Sequence, residues 1–291
     1  SHWRFIAHAD LLRDTSSGQV ALLATPAEVS MRLAPPLLAK GLSVVDLSGA
    51  FRLPATEYPE WYGHPHESPE WVERAEYGLV ELFAWPKADV RLVANPGCYA
   101  TAAILAAAPL VKRGLVEGPL FVDGKSGTTG AGRKADEGLS FSEVSENVRP
   151  YRLGRHQHTP EIEQALGRIG GRPIRVSFTP QLVPMSRGLL VTVHASLREG
   201  LAEPVIEAYR ELYGKASLIR LLRDRPPETA AVRNTPFTDI FAHVDARTSS
   251  VTAIAALDNL VKGAAGQAVQ NLNRLLELPP ETGLVRRGTD R

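Results

Sequence analysis

The first part of the chain alternates short apolar runs with helix patterns, and this alternation constrains the fold more than any other feature. Val20–Ala24, Ser43–Leu47 and Val90–Ala94 have the length of buried strands and end at turn-forming residues. Helix patterns cover Ala27–Lys40 and Tyr99–Lys112, and a glycine follows each of them closely. Buried strands that alternate with helices predict a parallel α/β sheet, whose ligands bind beyond the carboxyl ends of its strands.

The middle of the chain has a different pattern, in which strands follow one another with few helices between them. The predicted strands are Leu120–Asp123, Arg172–Pro180, Gly188–Ser196, Thr238–Val244 and Ser250–Ala256. Two helices, Thr159–Arg168 and Pro204–Tyr213, interrupt them, and a long amphipathic helix over Asp258–Leu278 follows. This order predicts a second domain of α+β type, built on an antiparallel or mixed sheet.

Composition excludes several classes of protein. The chain has 291 residues, 22% of them charged, and a formal net charge of +1, which argues against a nucleic-acid-binding surface. No apolar stretch is long enough to span a bilayer, and no secretory signal opens the chain. The one cysteine leaves no intrachain disulfide and no cysteine-clustered metal site. We therefore expect a cytoplasmic protein that binds neither nucleic acid nor membrane.

That cysteine, Cys98, lies in the segment Asn95–Thr101, where a strand ends, Pro-Gly turns the chain and a helix begins. Unpaired backbone N–H groups and the helix dipole favour a thiolate, so we expect a lowered pKa and a nucleophilic sulfur. The same amides could stabilise an oxyanion formed by attack on a carbonyl carbon. The alternative is a buried cysteine that only opens a core helix.

Two histidines, His156 and His158, precede a predicted helix. Thr159 suits the N-cap and Pro160 the first helical position, which would leave both rings in the loop before the helix. A loop histidine can face a cleft and exchange protons near neutral pH, as a catalytic thiol requires. A metal-binding pair or a solvated surface are the alternatives.

The remaining histidines suggest no metal site. They are His2, His8, His64, His66, His194 and His243. Zinc would need further ligands, and these residues form no evident set with the first pair. The sequence around His64 and His66 is rich in proline and glutamate, so we expect both at the surface.

The segment Gly124–Arg133 contains four glycines and two cations. Glycines allow the backbone to approach an anion, and successive N–H groups can form a concave nest for a phosphate. Lys125 and Arg133 would add positive charge. The spacing from Gly118 to Gly124 is one residue too long for a phosphate-binding P-loop, which excludes a nucleotide triphosphatase. A flexible loop without a ligand is the alternative.

An arginine, Arg187, precedes the predicted strand that starts at Gly188. A guanidinium group can bind a phosphate or a carboxylate through two parallel hydrogen bonds. Arg187 is therefore a candidate substrate clamp, and an ordinary surface arginine is the equal alternative.

Taken together, these segments resemble the N-acetyl-γ-glutamyl-phosphate reductases of arginine biosynthesis. The matching motifs are DLSGAFRL at 46–53, NPGCYAT at 95–101, SGTTGAGRKA at 126–135, HQHTPEI at 156–162, TPQLVPMSRG at 179–188 and DNLVKGAAGQAVQ at 258–270. The resemblance implies an α/β plus α+β fold. Its Rossmann-type NADP domain would comprise residues 1–97 and 258–291, and its glyceraldehyde-3-phosphate dehydrogenase-like catalytic and dimerisation domain residues 98–257. It also implies NADP(H) as cofactor and a homodimer or homotetramer that forms through the second sheet.

The resemblance also implies roles for individual residues. Cys98 would be the nucleophile, His158 the favoured acid/base, and His156 a neighbour of the substrate. Ser126 and Gly127 would line the substrate site, where Arg187 would hold an acidic group. The implied cofactor contacts are Pro26 and Asn259, of which Asn259 would face the nicotinamide.

The chain departs from the family pattern in three places. No Gly-rich strand-turn-helix precedes Val20, so the sequence is expected to start inside the dinucleotide-binding domain. Gln157 replaces a usual arginine, and Thr25–Glu28 stands where a Pro-His-Gly turn is common. The alternatives are the parallel reductase of lysine biosynthesis, a non-catalytic homologue and a cysteine hydrolase. Aspartate-semialdehyde dehydrogenase shares the chemistry but lacks the NPGCYAT and HQHTPEI motifs in this form.

Overall fold

Two sheets organise the chain, as the sequence predicts. The computed structural model describes residues 5–7, 10–85, 89–132, 136–202 and 204–285. The first sheet contains β1 (Val20–Leu23), β2 (Ser43–Asp46), β3 (Ala75–Tyr77) and β4 (Leu92–Ala94). Its order is β1-β2-β4-β3, and all of its pairings are parallel. The short β3 was not predicted, because three residues are too few to establish a period.

The second sheet is mixed and larger. Its strands are β5 (Val116–Ser126), β6 (Arg149–Pro150), β7 (Val176–Leu182), β8 (Leu189–Leu197), β9 (Ile219–Leu221), β10 (Thr238–Asp245) and β11 (Ser250–Leu257). The order is β6-β7-β5-β8-β11-β10-β9, with parallel pairs only at β5–β7 and β9–β10. The α/β plus α+β fold class is thereby confirmed.

Ten α-helices accompany the sheets in the described ranges. They are α1 (Leu11–Asp14), α2 (Ala27–Ala39), α3 (Tyr58–Tyr62), α4 (Pro69–Val72), α5 (Cys98–Lys112), α6 (Phe141–Val144), α7 (His158–Gly170), α8 (Pro204–Tyr213), α9 (Thr229–Val232) and α10 (Gly266–Leu275). The predicted last helix starts later than expected, because a single π-turn over Val261–Ala265 precedes α10. No helix among the described residues is both long and apolar enough to cross a bilayer.

Helix α5 lies in the middle of the larger core. Every residue from Tyr99 to Val111 is buried, which is expected of a helix that is apolar on all sides. It packs against one face of the second sheet together with α7 and α8. The opposite face of that sheet is open and carries partly exposed side chains such as Phe121 and His194. Because α5 follows β4 directly, its first residue lies at the carboxyl edge of the first sheet.

The expectation that His66 lies at the surface is wrong. Its ring is only 9% exposed, and both of its nitrogens are used. Nε2 lies 2.7 Å from the carbonyl oxygen of Ala50, and Nδ1 accepts a hydrogen bond of 3.0 Å from the Ser68 amide. Burial lowers the pKa of His66. The proline- and glutamate-rich neighbourhood concealed this role, because a ring that joins two loops leaves no periodic pattern.

We expect His66→Ala to lower the free energy of unfolding by about 1–3 kcal/mol, since two buried backbone groups lose their partner. A neutral ring is favoured in the folded state, so protons bind preferentially to the unfolded chain below its pKa of about 6.5. Stability of the parent should therefore fall as the pH is lowered from 7 to 5. Urea unfolding across that range measures both effects. Partly exposed His64, changed to Ala, is the matched control and should shift stability little; an equal loss in both variants would contradict the assignment.

Candidate active site

Cys98 is the first residue of α5, as the sequence predicts. The preceding turn is fixed at both ends: the Asn95 amide donates to the Asp46 carbonyl at 2.8 Å, and the Thr101 amide donates to the Gly97 carbonyl at 2.8 Å. Gly97 is the N-cap, with extended backbone angles. The turn thus connects the carboxyl edge of the first sheet to the helix that fills the second core, and Cys98 lies at the start of that helix.

The expected lowering of the Cys98 pKa is wrong. The Cys98 side chain is partly exposed, but it packs against the buried residues of the larger core. Burial raises the pKa of Cys98 to about 11, and the smaller opposing effects of the Tyr99 amide and the Arg52 guanidinium do not cancel it. Helix amides do favour the thiolate here, but removing the sulfur from water disfavours it more. In the free protein Cys98 is therefore a thiol that needs a proton acceptor.

We expect the rate of Cys98 alkylation by iodoacetamide to rise about tenfold per pH unit between pH 7 and 10, without a plateau, because only the thiolate reacts. Cys98 is the only cysteine, so uptake of one carboxamidomethyl group, followed by mass spectrometry, reports this site alone. N-acetylcysteine in the same buffers is the control for reagent behaviour. A plateau at or below pH 7 would show a pre-ionised thiol and would contradict the raised pKa.

Both predicted histidines lie at the cysteine turn. A Cβ atom added to Gly97 would overlap Nε2 of His158, so only glycine allows the ring to reach this position. The ring centroids of His156 and His158 are 4.7 Å apart. The ring centroid of Tyr99 lies 5.8 Å from that of His156 and 6.0 Å from that of His158. Burial lowers the pKa of each histidine to about 3. Both rings are therefore neutral near pH 7, and in the free protein each is a weak base.

The two histidines differ in their hydrogen bonds. Nδ1 of His156 accepts from the His158 backbone amide at 3.1 Å, which holds the first ring in place. Nδ1 of His158 is buried and has no partner within the described part of the chain. The helix begins at His158, with Gln157 as N-cap, rather than after Thr159 as predicted. His158 thus belongs to the first turn of α7, and its direction is set by the helix.

A buried carboxylate that was not singled out from the sequence connects these parts. Glu161 is 1% exposed and accepts hydrogen bonds from the Gly97 amide at 2.9 Å and the Tyr77 hydroxyl at 2.8 Å. Its other oxygen lies 3.5 Å from the Arg52 guanidinium and 3.9 Å from His158 Nε2. Because Glu161 follows His158 by one helical turn, α7 presents both side chains to the same turn of the backbone.

Arg52 is a second residue without a predicted role. It donates to the Asn95 carbonyl at 2.9 Å and the Leu47 carbonyl at 2.8 Å, in addition to its contact with Glu161. Burial opposes its charge, but Glu161 and other negative neighbours outweigh this and raise its pKa. It is thus a permanent cation behind the cysteine turn. Both Arg52 and Glu161 lie inside motifs recognised in the sequence, and that was the only available signal.

The predicted anion nest over Gly124–Arg133 is wrong in its main features. The amides of Gly127, Thr128 and Thr129 are already bonded to the carbonyls of residues 188, 185 and 186. Lys125 lies on the open face of the second sheet and pairs with Asp123, because side chains alternate along β5. Arg133 lies outside the described residues. The backbone N–H groups that a nest requires are already used in sheet pairing and turn formation.

Ser126 and Gly127 lie on the inner side of the same segment. Ser126 is 3% exposed, and its hydroxyl donates to the Gly127 carbonyl at 3.1 Å. Gly124, two residues earlier, leaves room for the Tyr99 ring that packs against the histidines. This brings the start of the 126–130 turn to the histidine side of the site, and the substrate role of Ser126 and Gly127 stays a prediction.

Arg187 forms an ion pair at 3.0 Å with Asp258, which is fully buried. The Asp258 carboxylate also accepts from the amides of Asn234, Leu260 and Val261, and these donors, with Arg187, lower its pKa despite burial. The Nε atom of Arg187 is buried and lacks a partner among the described residues. The acidic group that Arg187 holds in this structure is therefore a side chain of the protein, and a substrate contact stays a prediction.

The predicted cofactor residues differ in accessibility. Pro26 is exposed at the carboxyl end of β1, where it caps the start of α2, a position at which parallel sheets bind ligands. Asn259 is 2% exposed; its amide oxygen accepts from the Gly188 amide at 2.8 Å, and its nitrogen donates to the Thr129 hydroxyl at 3.0 Å. Asn259 therefore joins two loops of the site.

Two glycines let other groups lie close to Cys98. A Cβ atom added to Gly263 would lie 2.7 Å from Cβ of Cys98, and one added to Gly97 would overlap the His158 ring. Both glycines thus leave bare backbone beside the reactive atom. The residues present fit a nicotinamide dinucleotide at the carboxyl edge of the first sheet, where Pro26 is exposed.

Comparison with known proteins gives the class first. Residues 8–107 match the family model of the semialdehyde dehydrogenase NAD binding domain, and residues 98–259 match the semialdehyde dehydrogenase dimerisation domain. Solved structures agree on the fold. Aspartate semialdehyde dehydrogenase II from Vibrio cholerae has a TM-score of 0.68 at 19% identity and aligns over 89% of this chain and 80% of that one. The enzyme from Candida albicans with NADP has a TM-score of 0.59 at 16% identity, over 89% and 77% of the two chains. Fold and site define a semialdehyde dehydrogenase.

Sequence relatives narrow the class. The N-acetyl-gamma-glutamyl-phosphate reductase of Thermus thermophilus is 48% identical over 93% of this chain and 81% of its own length. That of Symbiobacterium thermophilum is 47% identical over 92% of this chain and 79% of its own length. The chain belongs to the N-acetyl-gamma-glutamyl-phosphate reductase family, and the resemblance found in the sequence is confirmed.

Proposed function

We propose that this chain carries the catalytic site for NADPH-dependent reduction of N-acetyl-γ-glutamyl phosphate to N-acetylglutamate semialdehyde, with release of phosphate. The observation that supports this most directly is the contact of His158 with the turn that carries Cys98, in a member of this family. A thiol beside a neutral imidazole can form an acyl-enzyme, which is the intermediate that the reaction needs.

The first step is attack of Cys98 on the acyl carbon. As the sulfur forms its bond to carbon, the thiol proton passes to His158, which burial keeps neutral in the free protein. Backbone amides at Cys98 and Tyr99 stabilise the oxyanion at the start of α5. The carbon–oxygen bond to phosphate then breaks, and phosphate leaves with the bonding pair, which gives a thioester on Cys98. Arg52, the cation behind the turn, stabilises the negative charge of the oxyanion that precedes the thioester.

The second half of the reaction releases the aldehyde. The chemistry that NADPH supplies when bound is a hydride for the acyl carbon. Cleavage of the carbon–sulfur bond then frees the aldehyde, and His158 returns its proton to the Cys98 sulfur. Gly97 and Gly263, which have no side chains, let the His158 ring and the backbone of the π-turn lie close to the cysteine during both steps. Pro26 and Asn259 are the residues that we assign to the cofactor side, and Ser126, Gly127 and Arg187 those that we assign to the substrate side.

We assign residues 1–97 with 258–291 to the cofactor domain and residues 98–257 to the catalytic domain. The match to a dimerisation domain and the open face of the second sheet support a homodimer that forms through this face. A tetramer would use a further surface. Sedimentation at micromolar concentration distinguishes monomer, dimer and tetramer.

The test of the proposal is reduction of NADP by N-acetylglutamate semialdehyde in the presence of phosphate, the reverse of the biosynthetic direction. We expect turnover that depends on phosphate and yields acyl phosphate, trapped as the hydroxamate. The aminoadipate analogue and aspartate semialdehyde serve as parallel substrates. A preference for the aminoadipate analogue would assign the chain to lysine biosynthesis. In the biosynthetic direction, a hydrolase would convert the acyl phosphate to free acid and phosphate without oxidising NADPH.

A further inference from the structure

The π-turn at Val261–Ala265 is an unusual feature next to the nucleophile. Its amides bond five residues back, from Gly263 to the Asp258 carbonyl and from Ala265 to the Leu260 carbonyl, each at 2.9 Å. Such turns are rare and occur frequently at functional sites, because the regular helical ladder must be opened to form them. Here the turn directs the backbone of Gly263 against Cys98, where a Cβ atom would lie 2.7 Å from Cβ and 3.3 Å from Cα of the cysteine.

The residue before Gly263 points away from the thiol. Lys262 is fully buried, and its ammonium group donates to the Glu81 carboxylate at 2.5 Å and to the Gln270 side chain at 2.6 Å. Gln270 closes the triangle by donating to the same Glu81 oxygen at 3.0 Å. Glu81 comes from the segment between β3 and β4, so this contact joins the π-turn to the first sheet's side of the molecule.

Stability alone is a weak reason for such a pair. Both side chains are removed from water, 0% exposed for Lys262 and 5% for Glu81, and the second oxygen of Glu81 has no partner among the residues that the structure describes. Apolar residues of similar volume usually replace a buried ion pair without loss of stability. A directional, charged contact such as Lys262–Glu81 can instead fix the position of the π-turn that carries the lysine.

We propose that Lys262 and Glu81 are positioning residues: their ion pair fixes the π-turn so that Gly263 covers Cys98 and sets the access of water and substrate to its sulfur. The inference rests on the proposed role of Cys98 as nucleophile. Neither residue touches the thiol, since Gly263 and the turn lie between them. Fixing the turn from behind leaves the site itself free of a bulky side chain on that side.

The test uses the whole chain and its single thiol. Lys262→Met, Glu81→Gln and the double variant are compared with the parent for the rate of iodoacetamide alkylation at pH 7.5, at a temperature well below every melting temperature. We expect each single variant to react about tenfold faster, because a loosened turn admits water to a thiol that burial now protects. The double variant carries no unpaired charge and should regain the parent's melting temperature, yet it should still react faster.

A matched control separates position from stability. Ile240→Val removes one buried methyl group in β10, outside the π-turn and the Lys262–Glu81 pair, and should lower the melting temperature without changing the alkylation rate. The proposal is overturned when alkylation follows the melting temperature across all variants, or when the double variant regains the parent's rate. Glu81→Gln preserves shape, so it remains informative where Lys262→Met does not fold. Absence of semialdehyde turnover in the parent, with the alkylation pattern as expected, would refute the proposed function and leave the positioning role intact.

Discussion

Cys98→Ser should lower phosphate-dependent NADP reduction by N-acetylglutamate semialdehyde by at least about a thousandfold. The serine hydroxyl has nearly the same size, but its pKa is much higher and the neutral ring of His158 is too weak a base to compensate. The remaining protein should keep its fold, because a hydroxyl at the first position of α5 can bond to the same backbone amides. Steady-state kinetics in NADP excess, with melting temperatures of both proteins, measure this.

A chemical control strengthens the comparison. The parent treated with iodoacetamide should lose activity in proportion to modification of its single cysteine. Activity that survives complete alkylation, or near-normal turnover of Cys98→Ser, would remove the thioester from the mechanism.

His158→Asn should reduce kcat by about 10²–10⁴-fold, the range expected for loss of a general acid/base. The ring contacts the Gly97 backbone beside the thiol, and no other described imidazole has that position. His156→Asn should reduce kcat by only about tenfold, because an asparagine carbonyl can still accept the hydrogen bond that the His158 amide donates. Measuring kcat and KM for both variants separates the two roles.

The outcome that contradicts this assignment is a severe loss in His156→Asn with a mild loss in His158→Asn, which would reverse the roles. His64→Asn provides a control, because His64 is partly exposed and lies in a loop with no contact to the cysteine turn.

The sequence predicts the two-sheet architecture and the start of α5 at Cys98 because these follow from local rules. Alternation of strands and helices, a Pro-Gly turn and an alanine-rich helix are each visible within about fifteen residues. The convergence of the histidines on the cysteine turn, by contrast, was expected only because a thiol needs a base. Its geometry depends on α7 crossing α5, a long-range packing that no local pattern reports.

The errors have a common physical origin. The predicted nest near Gly127, the lowered pKa of Cys98 and the exposed His66 all assumed that a group would keep the environment of its own segment. In the structure the amides near Gly127 bond to a neighbouring loop, the thiol is desolvated by a second core, and His66 is enclosed by two loops. Glu161 was missed for the same reason, since its partners Gly97, Tyr77 and Arg52 come from three separate segments.

The position of the cysteine turn has a consequence for how the protein can respond to its ligands. Residues 95–97 belong to the edge of the first sheet, while α5 is embedded in the other core, and Glu161 bonds back across this boundary to Gly97 and Tyr77. A rotation of one half of the molecule against the other cannot occur without straining these bonds and shifting the sulfur relative to the imidazole. Binding of a dinucleotide at the first sheet would therefore change the position of the thiol only by acting through these bonds.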